Sequence, residues 1–134
     1  MTQQHSSRSK PLQTLIGAGL VVYGSGADVL AEAMACSRFF RNESCGKCVP
    51  CRIGSEKITR MGEQLLSGEL SRRQLPVLRA VALELSGVMM ATSICGLGQV
   101  ASNPQRSVLT YFPEVAERAC KAEPSDPPSF PKAT

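Results

Sequence analysis

Four cysteines constrain the fold of this chain more than any other feature of its sequence. Cys45, Cys48 and Cys51 form a C-x2-C-x2-C run, and Cys95 follows much later, between two predicted helices. This spacing suits a metal-bound loop far better than three separate disulfide bridges. If all four cysteines bind one metal centre, the chain must fold so that residue 95 returns to the 45–51 segment.

The three-plus-one arrangement fits an iron–sulfur cluster of the cubane type. Such a cluster has four irons, each completed by one protein thiolate, and two-residue spacers allow one loop to reach three of the corners. Gly46 allows the loop to turn sharply, and Pro50 limits the freedom of the chain before the third thiolate. We therefore predict one [4Fe–4S] cluster, a cofactor with four metal-binding residues: Cys45, Cys48, Cys51 and Cys95.

Three alternative sites stay open on the residues alone. Structural zinc would prefer paired C-x2-C units or mixed Cys/His ligands, and the single histidine, His5, lies in a polar leader. A thioredoxin-like C-x-x-C lacks its βαβ setting here and leaves the third cysteine unexplained. A [2Fe–2S] cluster is the third alternative. The remaining cysteines, Cys36 and Cys120, are predicted to be ordinary buried or surface thiols.

Apolar residues at helical spacing predict a mainly α fold. Asp28 can cap a first helix that covers about residues 28–42. A second helix should start near Arg52 and run to Leu66, because Gly68 follows as a stop signal. We therefore expect a small bundle of about four helices around the [4Fe–4S] cluster.

The third predicted helix has two candidate starting points. Ser71 and Gln74 match a capping box, and Pro76 is tolerated if the helix begins at Ser71 or Leu75. Shorter helical turns are expected near 98–103, 105–112 and 114–120, separated by prolines. Leu15–Tyr23 is predicted to be a short β-strand or extended lead-in before the first helix.

The length of 134 residues and the distribution of apolar residues favour one domain. We expect a flexible polar leader over 1–14, a cluster-binding helical domain over 15–120 and a flexible Pro-rich tail over 121–134. No run of about 18 consecutive apolar residues is present, so membrane insertion is not expected. The leader also lacks the apolar core of a secretory signal, which predicts a soluble protein in the reducing cytoplasm.

Basic residues are concentrated between Arg38 and Arg60, although the formal net charge is only +4. This segment is either a solvated face or a docking surface for an acidic partner. Nucleic acid is not expected as a partner, because no aromatic residues are interleaved with these charges as stacking platforms.

Two runs of residues carry a family resemblance. The run Phe39–Gly54, which contains Cys-Gly-Lys-Cys-Val-Pro-Cys, and the run Ser93–Gly98, Ser-Ile-Cys-Gly-Leu-Gly, resemble the C-terminal iron–sulfur domain of the NADH- and flavin-binding subunit of respiratory complex I. NAD-dependent formate dehydrogenases and hydrogenases contain a similar subunit. The resemblance covers roughly residues 15–120. It implies a four-helix domain whose [4Fe–4S] cluster takes single electrons from reduced flavin and passes them to clusters in a partner subunit.

The chain departs from this family in having no counterpart of the longer N-terminal region that binds flavin and NADH. Its glycine turns, Gly17–Gly19 and Gly24–Gly26, lack the third glycine and the βαβ context of a dinucleotide fingerprint. We therefore expect no FMN or NADH on this chain alone, and no catalytic residue. The resemblance implies partners in the form of larger oxidoreductase subunits that carry flavin, further iron–sulfur clusters or both.

The expected function is electron relay within an NAD(P)-linked oxidoreductase complex, such as a formate dehydrogenase, a hydrogenase or a complex I-like enzyme. In this role the chain is a non-catalytic electron-transfer component. The alternative is a structural, assembly or redox-sensing iron–sulfur protein. A third interpretation is that the chain is a fragment of a longer flavoprotein.

Overall fold

The computed structural model describes residues 22–121, and these residues form a bundle of helices. The helices are α1 Val29–Asn42, α2 Val49–Leu66, α3 Leu75–Thr92, α4 Gly96–Val100, α5 Asn103–Tyr111 and α6 Pro113–Ala119. The prediction of a mainly α fold is confirmed. Within the described residues the only β pairing is an isolated bridge between Ser71 and Lys121. The predicted leader, nearly all of the predicted tail and most of the Leu15–Tyr23 lead-in lie outside the described range.

The first helix begins where the sequence predicts it. The Asp28 carboxylate accepts hydrogen bonds from the backbone N–H groups of Leu30 and Ala31, at 3.1 and 3.0 Å, which caps the N-terminus of α1. One face of α1 is buried against the other helices, and it consists of Leu30, Ala33, Met34, Ser37 and Phe40.

The second helix begins earlier than predicted, at Val49 instead of near Arg52. Pro50 lies in its first turn, where the N–H that proline lacks has no helical partner in any case. The prediction treated Pro50 as part of the loop and was wrong on this point. As a consequence, Cys51 is a helical residue, and only Cys45 and Cys48 precede the helix.

The end of α2 agrees with its prediction. Gly68 adopts a φ of 66°, and its N–H donates to the Leu65 carbonyl, while the Glu69 N–H donates to the Gln64 carbonyl, both at 3.2 Å. These two bonds form a Schellman motif, which satisfies carbonyls left free at the helix end.

The third helix begins at Leu75, the second of the two predicted starts. The predicted capping box forms only in part: the Gln74 side chain accepts from the Ser71 N–H at 3.1 Å, while the Gln74 N–H donates to the Ser71 carbonyl at 3.0 Å. These two bonds close a turn that leads into the helix, so Ser71 itself is not the N-cap.

Two glycines in α2 allow neighbouring helices to approach closely. A methyl group at Gly62 would overlap the Gln105 amide from α5 and the Met34 sulfur from α1. A methyl group at Gly54 would overlap the Met89 side chain from α3. These close approaches pack α2 tightly against α1, α3 and α5.

Among the described residues, α3 is the one helix that is long and apolar enough to cross a membrane, judged by length and composition alone. The core helix of a bundle meets the same criteria. One side of α3 is buried in the core through Leu78, Ala82, Ser86 and Met89. Val77, Val81 and Val88 lie beside this face and are exposed.

Candidate metal centre

The first cysteine loop runs into the N-terminus of α2. Gly46 has a φ of 73°, a left-handed conformation that turns the chain between Cys45 and Cys48. Cys48 is the N-cap of α2, and Cys51 lies in its first turn. Cys45 is exposed, Cys48 is half-buried and Cys51 is buried, so the loop leads from the surface into the bundle.

The second loop joins α3 to α4. Ser93 is the C-cap of α3, and Cys95 is the N-cap of α4. Cys95 is exposed, as is Ile94, whereas Ser93 is buried. The predicted break between helices at Cys95 is therefore present, although α4 starts at Gly96 and not near residue 98.

The fold brings the two loops into contact. The Ile94 backbone N–H donates a hydrogen bond to the Cys48 sulfur. The absence of a side chain at Gly98 leaves space for Cys51, whose Cβ would lie 2.9 Å from a Cβ built at that glycine. The segment around residue 95 thus returns to the C-x2-C-x2-C loop, as a shared metal centre requires.

Backbone hydrogen bonds favour the thiolate form of one cysteine. They lower the pKa of the Cys48 thiol, and the largest contribution comes from the Ile94 N–H, followed by the Cys51 N–H. The thiolate is the form that binds iron. In the same loop the Ser44 hydroxyl lies 3.4 Å from the Cys51 sulfur and accepts from the Gly46 N–H at 3.3 Å.

The donor set fits an iron–sulfur cluster. Within residues 22–121, no group of three or more His, Cys, Asp or Glu side chains is arranged to hold a single metal ion. A cubane cluster binds each thiolate to a different iron, so its ligands need not converge on one point. Two adjoining loops that carry four thiols, with no side chain at Gly46 or Gly98, suit such a group.

The two remaining cysteines lie elsewhere in the bundle. Burial raises the pKa of the Cys36 thiol, and the nearby Glu32 charge adds to this effect. Burial also raises the pKa of Cys120, which donates a hydrogen bond to the Ala116 carbonyl at 3.3 Å. Both environments favour the neutral thiol, as expected for ordinary structural cysteines.

Several of the basic residues between Arg38 and Arg60 are paired with carboxylates. Arg38 lies 3.1 Å from Glu63, a partner that lies outside the basic segment in the sequence. Arg41 and Arg60 lie 3.8 and 2.7 Å from Glu56. These pairs reduce the charge available to bind another molecule.

Three other cations in this segment form no ion pair with any residue between 22 and 121. They are Lys47, Arg52 and Lys57, all exposed. The Arg52 Cδ lies 3.9 Å from the position that a Cβ on Gly46 would occupy, so this side chain folds over the cysteine loop. Lys47, next to Cys48 in the chain, and Arg52 thus place positive charge beside the candidate centre, without a carboxylate partner in the described range.

Comparison with known proteins identifies the family of this region. Residues 31–119 match the family model described as the NADH-ubiquinone oxidoreductase-F iron-sulfur binding region. The F subunit of the NADH-quinone oxidoreductase of Rhodobacter capsulatus is 32% identical over 103 residues, which are 77% of this chain and 23% of that protein. The NADP-reducing hydrogenase subunit HndC of Solidesulfovibrio fructosivorans is 34% identical over 99 residues, 68% of this chain and 19% of the relative.

Solved structures agree with the sequence comparison. The H2-reduced NAD+-reducing [NiFe]-hydrogenase superposes with a TM-score of 0.63 at 32% identity, over 73% of this chain and 16% of the hydrogenase chain. The air-oxidised form superposes with a TM-score of 0.64 at 30% identity, over 79% of this chain and 18% of the hydrogenase chain. The chain therefore spans less than a quarter of the length of each of these relatives.

Proposed function

The chain belongs to the family of the NADH-ubiquinone oxidoreductase-F iron-sulfur binding region, and from this premise we propose that it is the electron-relay module of a larger NAD(P)-linked oxidoreductase complex. As a 4Fe–4S domain it is homologous to subunits of complex I and of NAD-reducing hydrogenase. The observation that carries the proposal is the contact between the two cysteine loops, through Ile94 with Cys48 and through Gly98 with Cys51.

In this proposal the cluster is held by Cys45, Cys48, Cys51 and Cys95. When bound, it supplies reversible one-electron transfer. The Ile94 N–H, which donates to the Cys48 sulfur, stabilises negative charge there. The positive charges of Lys47 and Arg52, next to cluster ligands in the sequence, would favour the more negative, reduced state and raise its reduction potential, an effect that solvent screening weakens.

The proposed partner is a larger oxidoreductase subunit that supplies the regions of the relatives that lie outside the matched residues. The relatives are much longer than the matched region, and their names describe NADH-quinone oxidoreductase and NADP-reducing hydrogenase subunits. We propose that the flavin and NADH sites lie on such a partner, in the reducing cytoplasm. NADH gives up a hydride while a cluster takes single electrons, so a flavin or an equivalent cofactor must stand between them.

Anaerobic reconstitution tests the cofactor assignment. The proposal expects about four irons and four sulfides per chain, and an electron paramagnetic resonance signal that appears on reduction and disappears on reoxidation without loss of iron. Zinc in stoichiometric amount, with no iron, in protein isolated anaerobically from iron-replete cells would overturn it. Reduction of the purified chain by NADH without added flavin or partner would refute the assignment of those sites to a partner.

A redox-sensing role is the second candidate, and the exposure of Cys45 and Cys95 favours it. Solvent-accessible ligands allow oxidants to reach a cluster. A sensor should lose iron on exposure to air and bind a different partner afterwards, whereas a relay should pass through repeated cycles of reduction and oxidation with its iron intact. Iron content, measured after each cycle together with the bound partner, distinguishes the two.

A further inference from the structure

The hydroxyl group of Ser93 is buried without a hydrogen-bond partner. The Ser93 residue is 6% exposed, and its Oγ has no donor or acceptor among residues 22–121. Its backbone is fully used: the N–H donates to the Met89 carbonyl at 3.0 Å, and the carbonyl accepts from the Gln99 side chain at 3.2 Å. A buried hydroxyl left unpaired destabilises a fold, and native proteins rarely contain one without a bound group or water nearby.

Ser93 lies where the two cysteine loops meet. A Cβ built at Gly98 would lie 2.6 Å from the Ser93 Oγ and 2.9 Å from the Cys51 Cβ, so the hydroxyl and Cys51 flank the same point. Ser93 also directly precedes Ile94, whose N–H donates to the Cys48 sulfur, and Cys95 follows two positions later. The unpaired hydroxyl thus lies beside Cys51, in the loop that carries Cys95.

Buried serines differ in whether their hydroxyl groups are paired: Ser93 and Ser55, which lies one turn beyond Cys51 in α2, have no partner for Oγ within residues 22–121. Ser37 donates to the Ala33 carbonyl at 2.9 Å, and Ser86 donates to the Ala82 carbonyl at 2.6 Å, the common bond of a serine inside a helix. Ser93 has an extended backbone at the end of α3 and forms no such bond. Its hydroxyl therefore remains available to a group that binds between the loops.

We infer that the Ser93 hydroxyl donates a hydrogen bond to a sulfur atom of the bound cluster, either a ligand thiolate or an inorganic sulfide. This inference rests on the proposed function, because it requires the cluster. Both kinds of sulfur carry negative charge and accept hydrogen bonds, and donors to them raise the reduction potential by stabilising the more negative, reduced state. Ser93 is thus a residue that tunes the potential, not a ligand.

The test compares variants that differ in the hydroxyl alone. Ser93→Ala should retain iron and have a more negative midpoint potential, whereas the matched control Ser37→Ala should leave the potential unchanged. Ser93→Thr and Ser93→Val have nearly the same shape, so the threonine variant should keep the higher potential and the valine variant should lose it. Equal potentials for threonine and valine, or an unchanged potential in Ser93→Ala with full iron content, would overturn the inference.

Resonance Raman spectroscopy identifies the acceptor and provides a second readout. Loss of the hydroxyl should shift the terminal Fe–S(Cys) stretches if a thiolate is the acceptor, or the bridging Fe–S stretches if a sulfide is. If Ser93→Ala does not retain iron, the threonine and valine variants still decide the question. Iron retained in Ser93→Thr but not in Ser93→Val supports the hydroxyl bond, whereas equal iron content in these two variants overturns it. Unmodified protein that binds no reducible cluster would refute the proposed function instead.

Discussion

Gly98 and Cys51 are so close that a Cβ at residue 98 would lie 2.9 Å from the Cβ of the cysteine. This contact joins the start of α2 to α4, the helix that follows Cys95. Both groups belong to helices, so neither can move by a simple side-chain rotation. The absence of a side chain at Gly98 therefore determines how closely the two cysteine loops approach each other.

Replacing Gly98 with alanine should separate the loops. The added methyl would overlap both Cys51 and Ser93, and relief of this overlap requires a backbone shift that costs about 1–3 kcal/mol. We expect a lower free energy of unfolding and less iron per chain after reconstitution. Gly87→Ala is the control, because nothing lies within 4 Å of its added Cβ and alanine favours a helix interior by about 1 kcal/mol. Iron retention equal to that of Gly87→Ala would contradict the prediction.

Serine substitutions should divide the six cysteines into two classes. Cys45, Cys48, Cys51 and Cys95 are the predicted ligands, and each change to serine should cause loss or conversion of the cluster, since a hydroxyl is a poor ligand for iron in this setting. The same change at Cys36 or Cys120 should leave iron content unchanged. Iron and sulfide analysis, with electron paramagnetic resonance, checks this. A cluster that survives the loss of Cys95 but not of Cys120 would reassign the fourth ligand.

The sequence predicts the ends of helices better than it predicts the contact between the two cysteine loops. Asp28 as N-cap and Gly68 as stop signal act through neighbouring backbone groups, so α1 and the end of α2 were predicted correctly. The early start of α2 was missed because proline is compatible with both a loop and a first helical turn. The roles of Gly98 and Ser93 depend on contacts between distant segments, which no local pattern reveals.

Removal of the cluster should loosen the chain around the two loops first. The cluster would cross-link Cys51 to Cys95, and closing a loop of this length is worth on the order of 4 kcal/mol by chain-entropy estimates. Stripping iron with a chelator should therefore lower the free energy of unfolding and increase amide hydrogen exchange at the start of α2 and in α4. Native-like exchange protection throughout the apo protein would contradict this expectation.

The raised pKa values of Cys36 and Cys120 predict slow alkylation of the folded, cluster-loaded protein. Burial is the main cause at both sites, so a smaller fraction of each is thiolate at pH 8 than in an unfolded peptide. Because each folded-state pKa lies above the unfolded one, the contribution of these two thiols to the free energy of unfolding is fully present at pH 7. It is lost as the pH rises past the usual thiol pKa of about 8.5. Iodoacetamide labelling followed by mass spectrometry, with glutathione as reference, measures this; labelling of both at the glutathione rate would refute it.

Docking of the proposed partner should depend on the cations that remain unpaired beside the cysteine loop. Lys47, Arg52 and Lys57 have no carboxylate partner among residues 22–121, whereas Arg60 pairs with Glu56 at 2.7 Å. Exposed apolar side chains accompany these cations, with Val49 at 60% and Ile94 at 81% exposure. An apolar centre with a positive rim favours an acidic protein surface, whose approach is accelerated by opposite charge.

An acidic flavodoxin in its reduced form serves as the probe for this docking surface. Arg52→Gln should slow the association measured by stopped-flow, while Arg60→Gln, which removes the same charge from an existing ion pair, should have little effect. The rate for the unmodified protein should fall as salt rises, because exposed charges are screened beyond about 10 Å at 0.1 M ionic strength.

Carbodiimide cross-linking should join flavodoxin carboxylates to Lys47 and Lys57 more than to Lys121, which lies beyond α6 next to Ser71. This readout does not depend on cluster content. Equal cross-linking of all three lysines, or equal slowing by the two arginine variants, would show that the surface beside the cysteine loop does not guide docking.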